Sequence, residues 1–425
     1  MHLVTGSNRL QGNISVSGAK NSLLPLICAS LLTTETTLTN APSLRDSNIL
    51  LNILKRQGVD FQHDEDVLNI STQELNKNDS IDILGDDVSL IRYSTILMGA
   101  LIGRGYKKIK ISYPGGCSSF GTRPIDIHLV GFEAFGVKLE IHDSFIVLDC
   151  SELVDQVEHK LRFPSVGATL NLILASFAIS GKTVVDNIAI EPEVLDLLDF
   201  LSQCGLSYKF LSERKIELES TTTYKSVKHS VIPDRIETVT FLVLGAVCSE
   251  EKLTILNANK AHTTLPIDKL RQMGLRIDDT SDGFVVYRCA NVIPTTLNVG
   301  VYPEIGTDYQ PLFACLMAFA QGTSEIVDPI YPKRFAYLKE LRKLGIESTY
   351  FDGFAKISGN PTYNSTGEYE LMCHDLRAGF AALLFAILNE GKTLLKNSHQ
   401  ISRGYYDFER KLKKIGADIE KVDNE

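Results

Sequence analysis

Tryptophan is absent from this 425-residue chain, methionine occurs only 5 times, and no run of apolar residues approaches the length of a membrane span, which takes roughly 18 or more. The opening MHLVTGSNRLQG lacks the basic-then-apolar pattern of a secretory leader. The eight cysteines, at 28, 117, 150, 204, 248, 289, 315 and 373, contain no CxxC pair, so neither a zinc ribbon nor a disulfide scaffold is indicated. HExxH, GxSxG and GxxxxGK[ST] are all missing, and the nine histidines show no ligand spacing. No metal and no cofactor are therefore expected. The nearest approach to a nucleotide glycine fingerprint, GALIGRGY at 99–106, has the wrong order and belongs at a helix end. A basic surplus is lacking too: 43 Lys and Arg face 52 Asp and Glu, giving a net charge of −9. That balance argues against nucleic acid as a partner, and any anion site must be concentrated in one place.

What is present is an ordinary globular composition, 44% apolar and 22% charged, which fits a soluble α/β protein of two or three domains. Cys28, Cys248 and Cys315 fall inside apolar helical runs, so buried free thiols in a reducing cytoplasm are expected. A helix-end motif, Leu or Phe followed by three residues and Gly, recurs six times before an alternating stretch: LKRQGVDF, FEAFGVKL, LSQCGLSY, LRQMGLRI, LRKLGIES and LKKIGADI. The glycines, 58, 136, 205, 274, 345 and 416, are separated by 78, 69, 69, 71 and 71 residues. Each should take the left-handed conformation that ends a helix without straining a side chain. The alternation after each reads as strand.

A second element repeats in step with the first. Apolar helices begin within SGAKNSLLPLICASLL, SLIRYSTILMGALIG, FPSVGATLNLILASFAI, PDRIETVTFLVLGAV, GTDYQPLFACLMAF and CHDLRAGFAALLFAIL. Being apolar nearly all round, they should be buried, while their polar first turns need a solvated or liganded surface. Helix N-termini carry unpaired N–H groups and about half a positive charge, which suits phosphates and carboxylates. Three units in each half suggest two lobes divided near TTTYKSVKHS, with a ligand cleft between them.

The charged residues at those helix starts are Lys20, Arg92, Arg235, Asp308 and Arg377, with Arg334 and Arg403 nearby. A multiply anionic ligand would satisfy such guanidinium forks, and salt bridges to Asp234, Glu237 or Asp375 are the alternative. The glycine-rich loop YPGGCSSFGTRPIDIH holds Cys117 where a thiol would be exposed and have a proton to exchange. A hairpin with a passive thiol is the plainer reading of the same segment.

With SGAKN, PGGC, RPID, FPSVGAT, PDRIET, TDYQ, HDLRAG and SRGY in this order, the chain resembles the UDP-N-acetylglucosamine 1-carboxyvinyltransferase family of enolpyruvyl transferases, in the EPSP synthase superfamily. The resemblance runs from LQGNISVSGAKN to LKKIGADIEKV. It implies an α/β fold, a two-lobed inside-out barrel of six βαβαββ-like repeats of about 70 residues. The lobes implied are 20–231, carrying the cysteine loop, and 1–19 plus 232–425, closing over their substrates.

The implied reaction moves the enolpyruvyl group of phosphoenolpyruvate to the 3-hydroxyl of UDP-N-acetylglucosamine, in peptidoglycan precursor synthesis. By motif, Cys117, Lys20, Asp308 and Arg403 would be catalytic. Asn21, Arg92, Arg123, Arg334 and Arg377 would bind substrate, Arg123 and Arg403 around the phosphoenolpyruvate. Pro124, Ile125, Asp126 and Ile127, with Phe163, Pro164, Ser165, Val166 and Gly167, would embrace the uridine nucleotide, and Ile330 would touch the acceptor. Departures from the family pattern include one extra residue between Cys117 and Arg123, Val239 for a glycine, Ser402 and Tyr406 for acids, and Lys333 for an asparagine. They keep two alternatives open, a paralogous transferase with another nucleotide or sugar acceptor and an inactive UDP-sugar-binding paralogue. A shikimate-pathway synthase fits poorly, since it lacks the loop cysteine and the PSVGAT segment. The expected partners are the two substrates, with neither nucleic acid nor membrane.

Overall fold

The structure, a computed structural model, describes residues 1–6, 9–115, 125–221 and 224–422. Twelve α-helices lie along the described chain: α1 Lys20–Ala29, α2 Arg45–Lys55, α3 Ile96–Arg104, α4 Asp126–Glu133, α5 Val166–Ala175, α6 Pro192–Gln203, α7 Arg235–Cys248, α8 Thr264–Gln272, α9 Gln310–Met317, α10 Tyr337–Lys343, α11 Leu376–Leu388 and α12 Phe408–Lys414. The odd-numbered six are the apolar helices of the repeat. In α7 every residue from Ile236 to Cys248 is buried, and in α11 every residue from Arg377 to Ile387. A helix without a polar face has nowhere else to go.

The even-numbered helices end at the repeated glycines. Gly58, Gly136, Gly205, Gly274, Gly345 and Gly416 all have positive φ, between 85° and 108°, as the left-handed helix stop requires. The polypeptide divides into two compact units, Gly18 to Ile232 and Met1–Ser17 with Pro233 onward. Each has its own hydrophobic core.

Six four-stranded sheets complete the described fold, three per unit. Every sheet has one parallel and two antiparallel pairings. In the first, Ser226–Ser230 runs parallel to Glu35–Thr39, which pairs antiparallel with Val67–Ser71, which pairs antiparallel with Asp60–Asp64. The strands alternate buried and exposed positions, as in Thr323–Val327, because one sheet face covers the helices and the other meets solvent. The chain's beginning is used twice in its unit. His2–Thr5 lies between Glu390–Lys396 and Asp418–Lys421, antiparallel to both, and Leu10–Ser15 runs parallel to Ser249–Leu256.

Candidate active site

In the unit from Gly18 to Ile232, three apolar helices bring their first turns into contact with neighbouring polar groups. α1 starts at Lys20, after Ala19 in extended backbone. The Lys20 Nζ lies 2.7 Å from Asp46 Oδ2 in the first turn of α2, with the side chains only 8% and 4% exposed. Next to it, Asn21 Oδ1 accepts a 3.1 Å hydrogen bond from Tyr93 Oη. Tyr93 follows Arg92 in the 3-10 turn Arg92–Thr95 that leads into α3. α5 is capped by Ser165, whose hydroxyl accepts from the Ala168 N–H at 3.4 Å.

His128 of α4, through Asn171, joins α5 to α3. Its Nδ1 is 2.7 Å from Asn171 Nδ2, and the same amide reaches Thr95 O at 3.1 Å while Asn171 Oδ1 accepts from Gly99 N at 2.9 Å. The ring sits so close to α5 that a Cβ on Gly167 would stand 2.9 Å from His128 Cε1, which explains a glycine inside the first turn of a helix. Burial, and secondarily the charge of Arg92, push the His128 pKa down to about 3. Ile125 is buried, Ile127 half-buried, and Asp126 pairs with Arg162. That hydrogen bond is the main cause holding the Asp126 carboxyl below its ordinary range. Phe163 is exposed, and Pro164, Ser165, Val166 and Gly167 are partly so, leaving this segment open to a ligand.

The other unit holds a carboxylate flanked by two buried guanidiniums. Asp308 lies in the 3-10 turn Thr307–Tyr309 before α9, with its side chain 35% exposed. Arg334 Nη1 is 2.7 Å from Asp308 Oδ1, and its Nη2 is 3.6 Å from Asp375 Oδ1. Arg377 Nε stands 4.0 Å from Asp308 Oδ2, and its guanidinium is 5.0 Å from the centre of the Tyr405 ring. Burial works against charge on both arginines, yet Asp375 and Asp308 at Arg334, and Tyr405, Asp234 and Asp308 at Arg377, outweigh it and raise both pKa values. Both therefore stay cationic. Arg377 is only 1% exposed, and among the described residues its Nε and Nη1 find no hydrogen-bond partner. Buried guanidinium nitrogens in that condition call for an anion.

Around this cluster, Asp375 caps α11 by accepting from Arg377 N and Ala378 N at 2.7 and 3.0 Å. Asp234 caps α7 in the same way, through Ile236 N and Glu237 N. Arg235 Nη1 donates to Tyr309 Oη at 3.2 Å, and Arg403 Nη1 donates to Gln400 Oε1 at 3.1 Å. Ile330 is half-buried on the loop before Arg334.

The sequence-derived candidates thus divide between the two units: Lys20, Asn21, Arg92, Ile125, Asp126, Ile127 and Phe163 through Gly167 in the first, and Asp308, Ile330, Arg334, Arg377 and Arg403 in the second, where Asp308, Arg334 and Arg377 are in direct contact. Cys117, Arg123 and Pro124 lie outside the described residues. The salt-bridge alternative holds in part: Asp375 does serve Arg334, but Asp234 is a helix cap and Glu237 pairs with Lys411 at 2.8 Å. Sequence reasoning missed Asp46, Tyr93 and the His128–Asn171 pair. No spacing rule leads from Lys20 to a carboxylate 26 residues on. Asn171, an amide inside an otherwise apolar helix, was the one visible signal.

Among solved structures, the architecture matches the enolpyruvyl transferase NikO from Streptomyces tendae, with a TM-score of 0.89 at 25% identity, covering 99% of this chain and 98% of that one. It also matches EPSP synthase from Acinetobacter baumannii, with a TM-score of 0.71 at 16% identity over 99% of this chain and 100% of that one, a likeness of fold alone. The fold is the two-domain inside-out α/β barrel of the enolpyruvyl transferases. Residues 4–412 match the EPSP synthase (3-phosphoshikimate 1-carboxyvinyltransferase) family, to which the chain belongs as an enolpyruvyl-transferring enzyme. The chain is 36% identical to UDP-N-acetylglucosamine 1-carboxyvinyltransferase 1 of Symbiobacterium thermophilum, over 99% of this chain and 95% of that protein. It is 34% identical to UDP-N-acetylglucosamine 1-carboxyvinyltransferase of Halothermothrix orenii, over 99% of both.

Proposed function

We propose that the chain transfers the enolpyruvyl group of phosphoenolpyruvate to the 3-hydroxyl of UDP-N-acetylglucosamine and releases phosphate, a step of peptidoglycan precursor synthesis. The observation that carries this reading is Asp308, a half-open carboxylate set against two buried arginines, one of which, Arg377, has nitrogens without a hydrogen-bond partner among the described residues. A base beside fixed positive charge is what addition of an alcohol to an anionic enol ester needs.

In the first stage the acceptor oxygen attacks C2 of phosphoenolpyruvate while C3 gains a proton, giving a tetrahedral ketal. In the second the ketal expels phosphate and C3 loses a proton, restoring the double bond. Asp308 takes the hydroxyl proton or serves the second transfer, and Cys117 supplies the proton to C3. Lys20, Arg123 and Arg403 neutralise the donor's phosphate and carboxylate, with Arg92, Arg334 and Arg377 adding charge around them. Asn21, Pro124, Ile125, Asp126, Ile127, Phe163 through Gly167 and Ile330 hold the nucleotide and sugar. Seven described cysteines are free, and no described helix is long and apolar enough to cross a membrane, which suits action in the cytoplasm.

The test is phosphate release from phosphoenolpyruvate in the presence of a panel of nucleotide sugars. UDP-N-acetylglucosamine should support turnover and give the 3-O-enolpyruvyl product by mass spectrometry. Release with another acceptor and none with this one would replace the acceptor. No release with any acceptor, alongside ligand-induced thermal stabilisation, would favour the inactive paralogue.

A further inference from the structure

Asp328 follows the strand Thr323–Val327 and is 0% exposed, so it meets neither solvent nor substrate. Its backbone is fixed, since Asp328 N donates to Gly353 O at 2.8 Å. The two carboxylate oxygens serve different segments. Oδ2 accepts from Thr307 Oγ1 at 2.6 Å and from Gln310 Nε2 at 3.0 Å, on either side of Asp308. Oδ1 accepts from Ile330 N at 3.0 Å and Tyr331 N at 2.9 Å, at the start of the turn in which Arg334 N bonds back to Tyr331 O at 2.9 Å. The Thr307 hydroxyl, having donated to Asp328, presents its lone pairs to Arg334 Nη1 at 3.4 Å.

We infer that Asp328 is a positioning residue for the transfer reaction: one buried carboxylate sets the distance between Asp308 and Arg334 by holding both of the segments that carry them. The inference rests on the roles proposed above for those two residues. Four donors shared by two oxygens leave the carboxylate no freedom and no unmet acceptor. An asparagine of the same shape cannot reproduce all four bonds as they stand. With its nitrogen toward Ile330 N and Tyr331 N it meets two N–H donors and the segment before Arg334 loses its anchor; turned the other way it forces the Thr307 hydroxyl to accept and the Gln310 amide to reverse, which disturbs the Thr307 contact with Arg334. A group that orients a base through another residue should change turnover more than affinity.

The experiment compares Asp328→Asn, and Thr307→Val as a milder variant that removes only the hydroxyl, with the wild-type enzyme in phosphate release and in UDP-N-acetylglucosamine binding by calorimetry. Asp328→Asn should lower kcat by about 10- to 100-fold and Thr307→Val by about 3- to 10-fold, with acceptor Kd changed less than about threefold. Both substitutions are then repeated in an Asp308→Ala background. If Asp328 acts through Asp308 the further loss there is small, whereas a general weakening of the fold costs the same factor in either background. Equal losses in the two backgrounds, or two variants that both turn over at the wild-type rate, would overturn the inference while leaving the proposed reaction standing. An inactive wild type would overturn both.

Discussion

Lys20 and Asp46 form an ion pair almost without solvent, at 6% and 3% exposure. Removing one member of such a pair leaves the other charged group in a medium that penalises it, typically by about 3–5 kcal/mol. Asp46→Ala should therefore lower the unfolding free energy by an amount of that order, read as a shift in urea midpoint at unchanged slope. His128 makes a complementary prediction. Its folded pKa of about 3 lies below the ordinary 6.5 because burial disfavours the cation. Between those values the unfolded chain binds a proton that the folded chain does not, so stability falls as pH drops below 6.5. The slope is about 1.4 kcal/mol per pH unit well inside the window and vanishes above it. Denaturant titrations at several pH values should show His128→Gln with a correspondingly flatter dependence.

The six helix-stop glycines share one conformation and different surroundings. At Gly345, φ is 85° and an added Cβ would meet nothing within 4 Å, whereas at Gly58, φ is 91° and the Cβ would lie 2.2 Å from Glu74 O. Gly345→Ala should cost about 1–2 kcal/mol, the left-handed penalty alone. Gly58→Ala should cost clearly more, because backbone must move, and thermal denaturation of the two variants would rank them. The conformation of these glycines was legible from the repeat, since a glycine ending an amphipathic run has a local cause. Their neighbours were not, because Glu74 reaches Gly58 through a tertiary contact that no local pattern encodes. The site divides along the same line. Charged first turns such as Lys20, Asp308 and Arg377 were visible as exceptions on apolar helices, while Asp46 and Asp328 sit in segments whose polarity looks ordinary until folding buries them.

Across the molecule, burial decides the chemistry of the thiols. Cys28, Cys150, Cys204, Cys248, Cys315 and Cys373 are buried, and desolvation raises the pKa of each of them. Cys289 is half-buried with its thiol also pushed up. A thiol reagent at neutral pH should thus modify no more than Cys117 and Cys289 in the native protein, and all eight cysteines after denaturation. More than two fast-reacting groups by intact mass would contradict that burial.

The placing of His2–Thr5 between Glu390–Lys396 and Asp418–Lys421 also orders events during synthesis. The Gly18 to Ile232 unit is continuous in sequence and can complete its sheets while the ribosome is still translating the second half. His2–Thr5 must wait, unpaired, until residues 390–421 have been made, whereas Leu10–Ser15 finds its partner as soon as Ser249–Leu256 emerges, so the nascent chain carries one strand without its neighbours through the synthesis of almost the whole second unit.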